Sequence, residues 1–553
     1  MKHNFSGELL SVSVQDQLFN GINVSRRMLF GAVCACWLLL FVVLTMSSVA
    51  PAQTYPPPSP LTPAEIQFYT NLLNGQTPAT IPQSLALPDG IGLVSSHQMA
   101  GAMATSGNPF FQSLGTNGRI CVTCHQPENG WGLSTSTVQS VYTNTQGQDP
   151  LFAPVDGADC PDRGAAATQP GRQFLLARTQ LFNRANIRIS IQEPAVHDWY
   201  SVTVTADPTG CELSPIYGLL ATPTPMASFY RRPLPSANTA FINPSGACNP
   251  ITLVCKKNIM WDTREPSLEN QFVDATMNHA QATSSQLSAL QEQVTTMGQS
   301  FPGISFQNGN FSAESWDAFG WDLTGSDGSG ANGGPVALSN LNPAGTFRPA
   351  SFFGEAFDIY DSYAAELPWT ASMRASIQRG QNIFNNTTVL ITGVRGMNDL
   401  LGQKTIVGSC RFCHNNLDVG NDFAADPKDI GVMDSTSNVL PPAPDLPLFT
   451  FVCPQGSLSS NGVTPYSNPV ACSAGTCDQY QTTDPGEAWI TGKCADLGKM
   501  KVPALRGGGS RPPFFHGGNA STALDVVNFY NSRFNIGLTE QQILDLVNFL
   551  NAL

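Results

Sequence analysis

The clearest pattern of apolar and polar positions lies at the end of the chain. From Thr539 onward, Ile543, Leu546, Val547 and Leu550 fall on one stripe at helical spacing, and Thr539 with Gln542 forms a capping-box pair. This predicts an N-capped amphipathic helix over 539–553. A second helix is predicted over Ser376–Phe384, and a third from about Thr522, containing Tyr530. A fourth starts near Ser267 and carries Gln271, Ala275 and His279 on one face at i, i+4 and i+8. At the other end, Arg26 and Arg27 precede the apolar run Met28–Met46 and the small residues Ser47–Ala52, the order of an export signal. Cleavage after Ala52 and retention as an inner-membrane anchor are both open to a run of this length. Either outcome places the body in the periplasm. Tyr55–Pro60 then reads as a stiff extended linker.

A chain of 553 residues exceeds what one core serves, so at least two packed units are expected. Its 42 prolines and 49 glycines, with 41% hydrophobic residues, predict long ordered loops between modest helices. A charged fraction of 12% and a net charge of −13 leave no basic face for phosphate backbones, which excludes nucleic acid as a partner class. The acidic balance suits a basic protein partner.

Two runs carry chemistry, Cys121-x-x-Cys124-His125 and Cys410-x-x-Cys413-His414. Two thiols at this spacing add to the vinyl groups of one haem while the following histidine reaches the iron. A chance match is expected on the order of 0.005 times in such a chain, so two matches point to two covalently bound haem c groups. A zinc or thiol-redox reading explains neither following histidine. Eight further cysteines, four between the motifs (Cys160, Cys211, Cys248, Cys255) and four after the second (Cys453, Cys472, Cys477, Cys494), suggest disulfides in an oxidising compartment. Cys248 with Cys255 is the most local pairing.

Histidines outside the motifs are few: His97, His197, His279 and His516 in the exported body. A haem iron with one protein ligand is open to a small molecule, whereas a second strong ligand makes an electron-transfer centre. No histidine occurs in the 70 residues after the first motif, so haem 1 is the candidate open site. His516 and Tyr530 are the candidate sixth ligands of haem 2, and Arg506 is a candidate for its propionates.

These residues resemble the bacterial diheme cytochrome c peroxidases and their relatives, the methylamine-utilisation diheme oxidase and the diheme rubber oxygenases. The resemblance rests on both haem motifs, on Trp261-Asp262-Thr263-Arg264 and on the C-terminal stretch. It implies a mainly α fold, with two cytochrome c-like haem domains carrying long loops and insertions. The expected segments are 1–52 for export, 53–368 for the reactive haem and 369–553 for the electron-transfer haem. The family's W-D-G-R tryptophan relays electrons between the haems, which implies that role for Trp261, with Thr263 replacing the glycine. Gln271 matches a distal glutamine ten residues after the tryptophan.

The departures bear on activity. Gln281 stands where the family's peroxidases carry a distal glutamate, and a neutral amide does no acid–base work. His279 is then the substitute, or the site handles O₂ without a carboxylate as in the oxygenase branch. Val141 replaces the family's switchable distal histidine, which leaves haem 1 permanently available. Tyr530 stands fourteen residues after His516, where the peroxidases have methionine and the methylamine-utilisation oxidase has tyrosine. The family also implies Ca²⁺ held by backbone carbonyls near Arg511 and Pro513. The expected function is reduction of H₂O₂ or activation of O₂ at haem 1, with electrons from haem 2 and a small redox partner, cytochrome or cupredoxin. The alternatives are a diheme oxygenase cleaving an organic substrate, and a plain diheme carrier.

Overall fold

The computed structural model of the chain describes residue 71, residues 79–89, 93–97, 102–238, 259–289, 312–316 and 356–361, and residues 371–553, with short gaps inside these ranges. The export segment, the linker, Cys248 with Cys255 and the boundary expected at 368/369 lie outside the described residues. Among the described residues, no helix is long and apolar enough to cross a membrane.

The described residues form both helices and strands. Helices α1 (Thr135–Thr145), α2 (Leu268–Asn278), α3 (Ala371–Asn386), α4 (Ala523–Arg533) and α5 (Glu540–Ala552) frame the two motifs. Three of them begin at hydroxyl caps, where a side-chain oxygen takes an otherwise unpaired backbone N–H. Ser134 accepts from Thr137, Thr522 from Asp525 and Thr539 from Gln542. Helices α3 and α5 cross closely at Gly380, where an added Cβ would lie 2.0 Å from the Asp545 carbonyl oxygen. Beside the crossing, Ser376 donates to Asp545 (2.6 Å), which also pairs with Arg379 (2.7 Å). Phe357, Phe384 and Phe549 fill the space beneath with ring centroids 5.3 to 5.5 Å apart, and Phe384 stands 6.1 Å from the His414 ring. Truncating Phe549, fully buried here, would cost about 3–5 kcal/mol.

Strands β1 (Ile187–Gln192) and β3 (Met226–Arg231) pair antiparallel. A separate hairpin, β4 (Val389–Thr392) with β5 (Thr405–Gly408), stands beside the second motif. The largest sheet is antiparallel and joins β2 (Ser201–Ala206) to three strands from the C-terminal third, β6 (Leu448–Pro454), β7 (Pro469–Cys472) and β8 (Gly475–Thr482). Its order is β7-β8-β6-β2, so strand pairing ties the region of the first motif to that of the second. Phe449 and Phe451, on either side of Thr450 on β6, bury against Trp199, Trp489 and Tyr480. Residues Pro57–Leu553 pack as one unit. Disulfides Cys160–Cys211, Cys453–Cys494 and Cys472–Cys477 brace the loops.

Candidate functional site

Each Cys-x-x-Cys-His run folds as a single tight turn entered from an extended residue, Ile120 in one case and Ser409 in the other. The turn returns the histidine N–H to the first cysteine's carbonyl, His125 to Cys121 (3.0 Å) and His414 to Cys410 (3.2 Å). As a result both thiols and the imidazole of each run open on one cavity, of ≈240 Å³ at the first motif and ≈250 Å³ at the second.

The residues present fit haem c. Cys121, Cys124, Cys410 and Cys413 carry free thiols, and burial pushes them up to about 12, 11, 12 and 11 respectively. His125 Nδ1 stands 3.1 Å from the Trp131 carbonyl, and His414 Nδ1 stands 2.6 Å from the Gly420 carbonyl. A carbonyl only accepts, so each Nδ1 carries the proton and Nε2 keeps its lone pair, the tautomer an iron ligand needs. Burial lowers both imidazoles to about 4, which keeps them neutral. Among the described residues no cluster of His, Cys, Asp or Glu forms a separate metal site.

At the first cavity, Gln271, Ala275 and His279 all reach the lining, the first two from α2 and His279 from the residue just beyond it. His279 Nδ1 lies 2.8 Å from Asp156 Oδ2, which also takes Arg119 at 3.2 Å. Arg119 is buried and donates to the carbonyls of Pro150 (3.0 Å), Val155 (2.6 Å) and His279 (3.2 Å), so one guanidinium fixes the whole turn. Asp156 adopts φ +63°, a strained backbone for a residue with a Cβ, and strain held by surrounding structure is characteristic of working sites. Gln281 is exposed and outside the lining, so the position of the family's distal glutamate offers nothing to this cavity. Val141 packs against the core around Val138, Leu151 and Phe152, outside the lining.

Arg232, Pro233, Leu234, Pro235, Trp261, Lys501, Pro503 and Ala504 line both cavities, and Trp261 thus stands in their shared wall. Its indole N–H donates to the Arg232 carbonyl (2.8 Å), its own carbonyl accepts from Lys501 (2.8 Å), and its ring lies 5.8 Å from that of His516. Burial alone would raise the neighbouring Asp262 carboxyl, but Arg231 and Arg264 together hold it below the usual range. Thr263, in place of the family's glycine, keeps a left-handed φ of +58°. Lys501 is buried in the same wall, and burial lowers its ammonium to about 7.

At the second cavity both candidate sixth ligands reach the lining. Tyr530 sits among Phe515, Phe529 and Phe534, and burial raises its phenol above the ordinary range. His516 Nε2 lies 3.7 Å from Asp484 Oδ2 without a hydrogen bond, and burial lowers the ring to about 4. Arg506 lines neither cavity; it donates to the Asp418 carbonyl (3.1 Å) in the loop that leads to Gly420, and so acts on His414 through backbone. Of the backbone carbonyls expected to hold Ca²⁺, that of Arg511 accepts instead from the Arg232 guanidinium (2.8 Å), so a cationic side chain already takes that oxygen. Asp156, Arg119, Arg232 and Lys501 carry no sequence signal, because their partners are distant in the chain.

No protein-family model matches the chain. Cytochrome-c peroxidase IdrP1 of Denitromonas iodatirespirans is 36% identical over 86 residues, 14% of this chain. The chain thus spans 23% of the length of that curated relative. Among solved structures, a MauG-like protein associated with microbial copper homeostasis aligns with 59% of this chain and 76% of its own, at 16% identity and a TM-score of 0.25. The sequence match is thus a local likeness to a protein named a cytochrome-c peroxidase.

Proposed function

We propose that this chain is a periplasmic diheme c-type oxidoreductase of peroxidase type, reducing H₂O₂ in the first cavity with electrons held at the second and passed through Trp261. The observation that carries the reading is the difference between the two cavity linings. The first presents an acid–base histidine oriented by a buried carboxylate, His279 on Asp156. The second presents Tyr530 and His516, two side chains able to close an iron's sixth position.

When bound, haem supplies the position for the oxidant and the change of oxidation state. Everything else falls to the protein. Reducing H₂O₂ to two waters takes two electrons and two protons. His279 Nε2, aimed by the Asp156 contact at Nδ1, takes the proton from one peroxide oxygen and returns it to the other, which leaves as water. Gln271 offers an amide to the same oxygens. The Trp131 carbonyl raises the basicity of His125. Trp261, common to both linings, provides the contact through which electrons cross. The net charge of −13 favours a small basic cytochrome or cupredoxin as donor.

The test is rapid mixing of the reduced, exported protein with H₂O₂ and, separately, with O₂, after mass spectrometry has counted attached haems. Fast oxidation by peroxide alone is expected. A reaction with O₂ alone moves the assignment to the oxygenase branch. Inertness to both oxidants and to CO identifies a plain carrier and ends the enzyme reading.

A further inference from the structure

We infer that Arg511 is a built-in cation that does the work of an inter-region structural metal, holding the backbone loops behind both proximal histidines in register. Three main-chain carbonyls converge on its guanidinium: Gly507 at 2.6 Å, Ala504 at 3.0 Å and Arg506 at 3.1 Å. A ring of backbone oxygens is the ligand set of a hard cation such as Ca²⁺, which sits about 2.3–2.6 Å from each oxygen. Here a side chain supplies the charge. Among the described residues, no carboxylate pairs with Arg511 or with Arg232, and both are buried. The Arg232 guanidinium repeats the arrangement, donating to the carbonyls of Leu133, Arg511 (2.8 Å) and Arg184 (3.3 Å). Buried positive charge facing only carbonyl dipoles is what a bound metal would present.

Arg511 touches both proximal systems. On one side an added Cβ at Gly130 would lie 3.1 Å from Arg511 Nη1, and one at Gly132 would lie 3.1 Å from Arg511 Cδ. Those glycines flank Trp131, whose carbonyl orients His125. On the other side, Arg506 and Leu505 donate their backbone N–H groups to the Val419 carbonyl (3.2 and 3.0 Å), next to Gly420, whose carbonyl orients His414. One side chain is therefore tied to both loops that fix the iron-ligand tautomers, directly beside Trp131 and through the Arg506 backbone toward Gly420. A covalently tethered cation gives this link without dependence on free metal.

The test uses the haem-loaded exported protein. Wild type is expected to keep its Tm and both haem spectra after EGTA treatment, and added Ca²⁺ should change neither. Arg511→Ala should lose about 5 °C or more in Tm and shift the spectra of both haems, with restoration by low-millimolar guanidinium or Ca²⁺ filling the vacated carbonyl ring. Arg511→Lys, which keeps the charge but reaches fewer carbonyls, should fall between and remain insensitive to EGTA. The inference is overturned by a wild-type Tm that drops with EGTA, or by an Arg511→Ala protein unchanged in Tm and spectra. It is equally overturned if only one haem responds. If Arg511→Ala does not accumulate, the wild-type chelation arm and Arg511→Lys decide it. None of these readouts needs peroxide turnover, so failure of the peroxidase reading would show separately.

Discussion

His279 Nδ1 stands 2.8 Å from the buried Asp156 carboxylate, while Asn117 (2.8 Å) and Arg119 (3.2 Å) hold the His279 carbonyl. An imidazole fixed at one nitrogen presents the other in a single direction, and an acid–base group gains its effect from being so aimed. Asp156→Asn removes the acceptor charge and should lower peroxide turnover by about 10²-fold or more. His279→Gln should do the same. Because the two side chains act as one unit, the double variant should be no slower than the slower single variant. Haem content, read from the pyridine haemochrome, should stay at the wild-type level in all three. Additive losses would show that the residues act separately.

Trp261→Phe keeps an aromatic ring in the shared wall but removes the indole N–H that donates to the Arg232 carbonyl. Both cavities should keep their haem, and the second haem's oxidation after peroxide mixing should slow by roughly tenfold or more, as expected of a contact used for transfer and not for binding. Stopped-flow absorbance at the second haem reads this directly. An unchanged rate would remove Trp261 from the route.

Each Cys-x-x-Cys-His run is legible because its two thiols and imidazole lie within five residues, and the fold brings all three to one cavity. Helix α5 was legible because its stripe and its Thr539 cap are both local. Contacts closed over long stretches of chain left no such mark. Asp156 and His279 are 123 residues apart. β2 meets β6 across more than 240 residues, a pairing that a short alternating strand cannot announce. The fold buries Lys501 and Arg232 in the wall between the cavities, and nothing in the local sequence marks either for that place. Arg506, expected at a haem propionate, donates to the Asp418 carbonyl and lines neither cavity among the described residues.

Thr263 offers a test of strain. Its φ of +58° lies where a β-branched side chain meets its own backbone, and its hydroxyl gains only a 3.4 Å contact with Glu487. Thr263→Gly should therefore stabilise the protein by about 1 kcal/mol. The gain will be net of the entropy glycine adds to the unfolded chain. Chemical denaturation with an unchanged m-value is the measurement. A loss of stability would mean that the hydroxyl contact outweighs the strain.

For the second haem, Tyr530 and His516 line the same cavity, so substitution must separate them. His516 lies between Trp261 and Asp484, and Tyr530 lies among three phenylalanines. A phenolate ligand stabilises ferric iron, so Tyr530→Phe should raise the second haem's midpoint potential and alter its absorption. His516→Ala should change the Trp261 surroundings with little effect on that spectrum. The opposite pair of results assigns the ligand to His516.

Glu128 lies between His125 and Trp131, buried, with Oε2 lacking a hydrogen-bond partner among the described residues. Burial pushes its carboxyl up from 4.5 to about 7. The folded chain therefore holds a proton that the unfolded chain releases between these values, and stability contributed by the protonated form is complete below about pH 4.5 and lost as pH rises to about 7. Glu128→Gln keeps the shape and cannot ionise. Its unfolding midpoint in urea should exceed that of wild type at about pH 8 and converge with it at about pH 4.5, after common titrations are subtracted. A constant difference between the two proteins across this window would mean that Glu128 is already ionised in the fold, with its charge met by a partner.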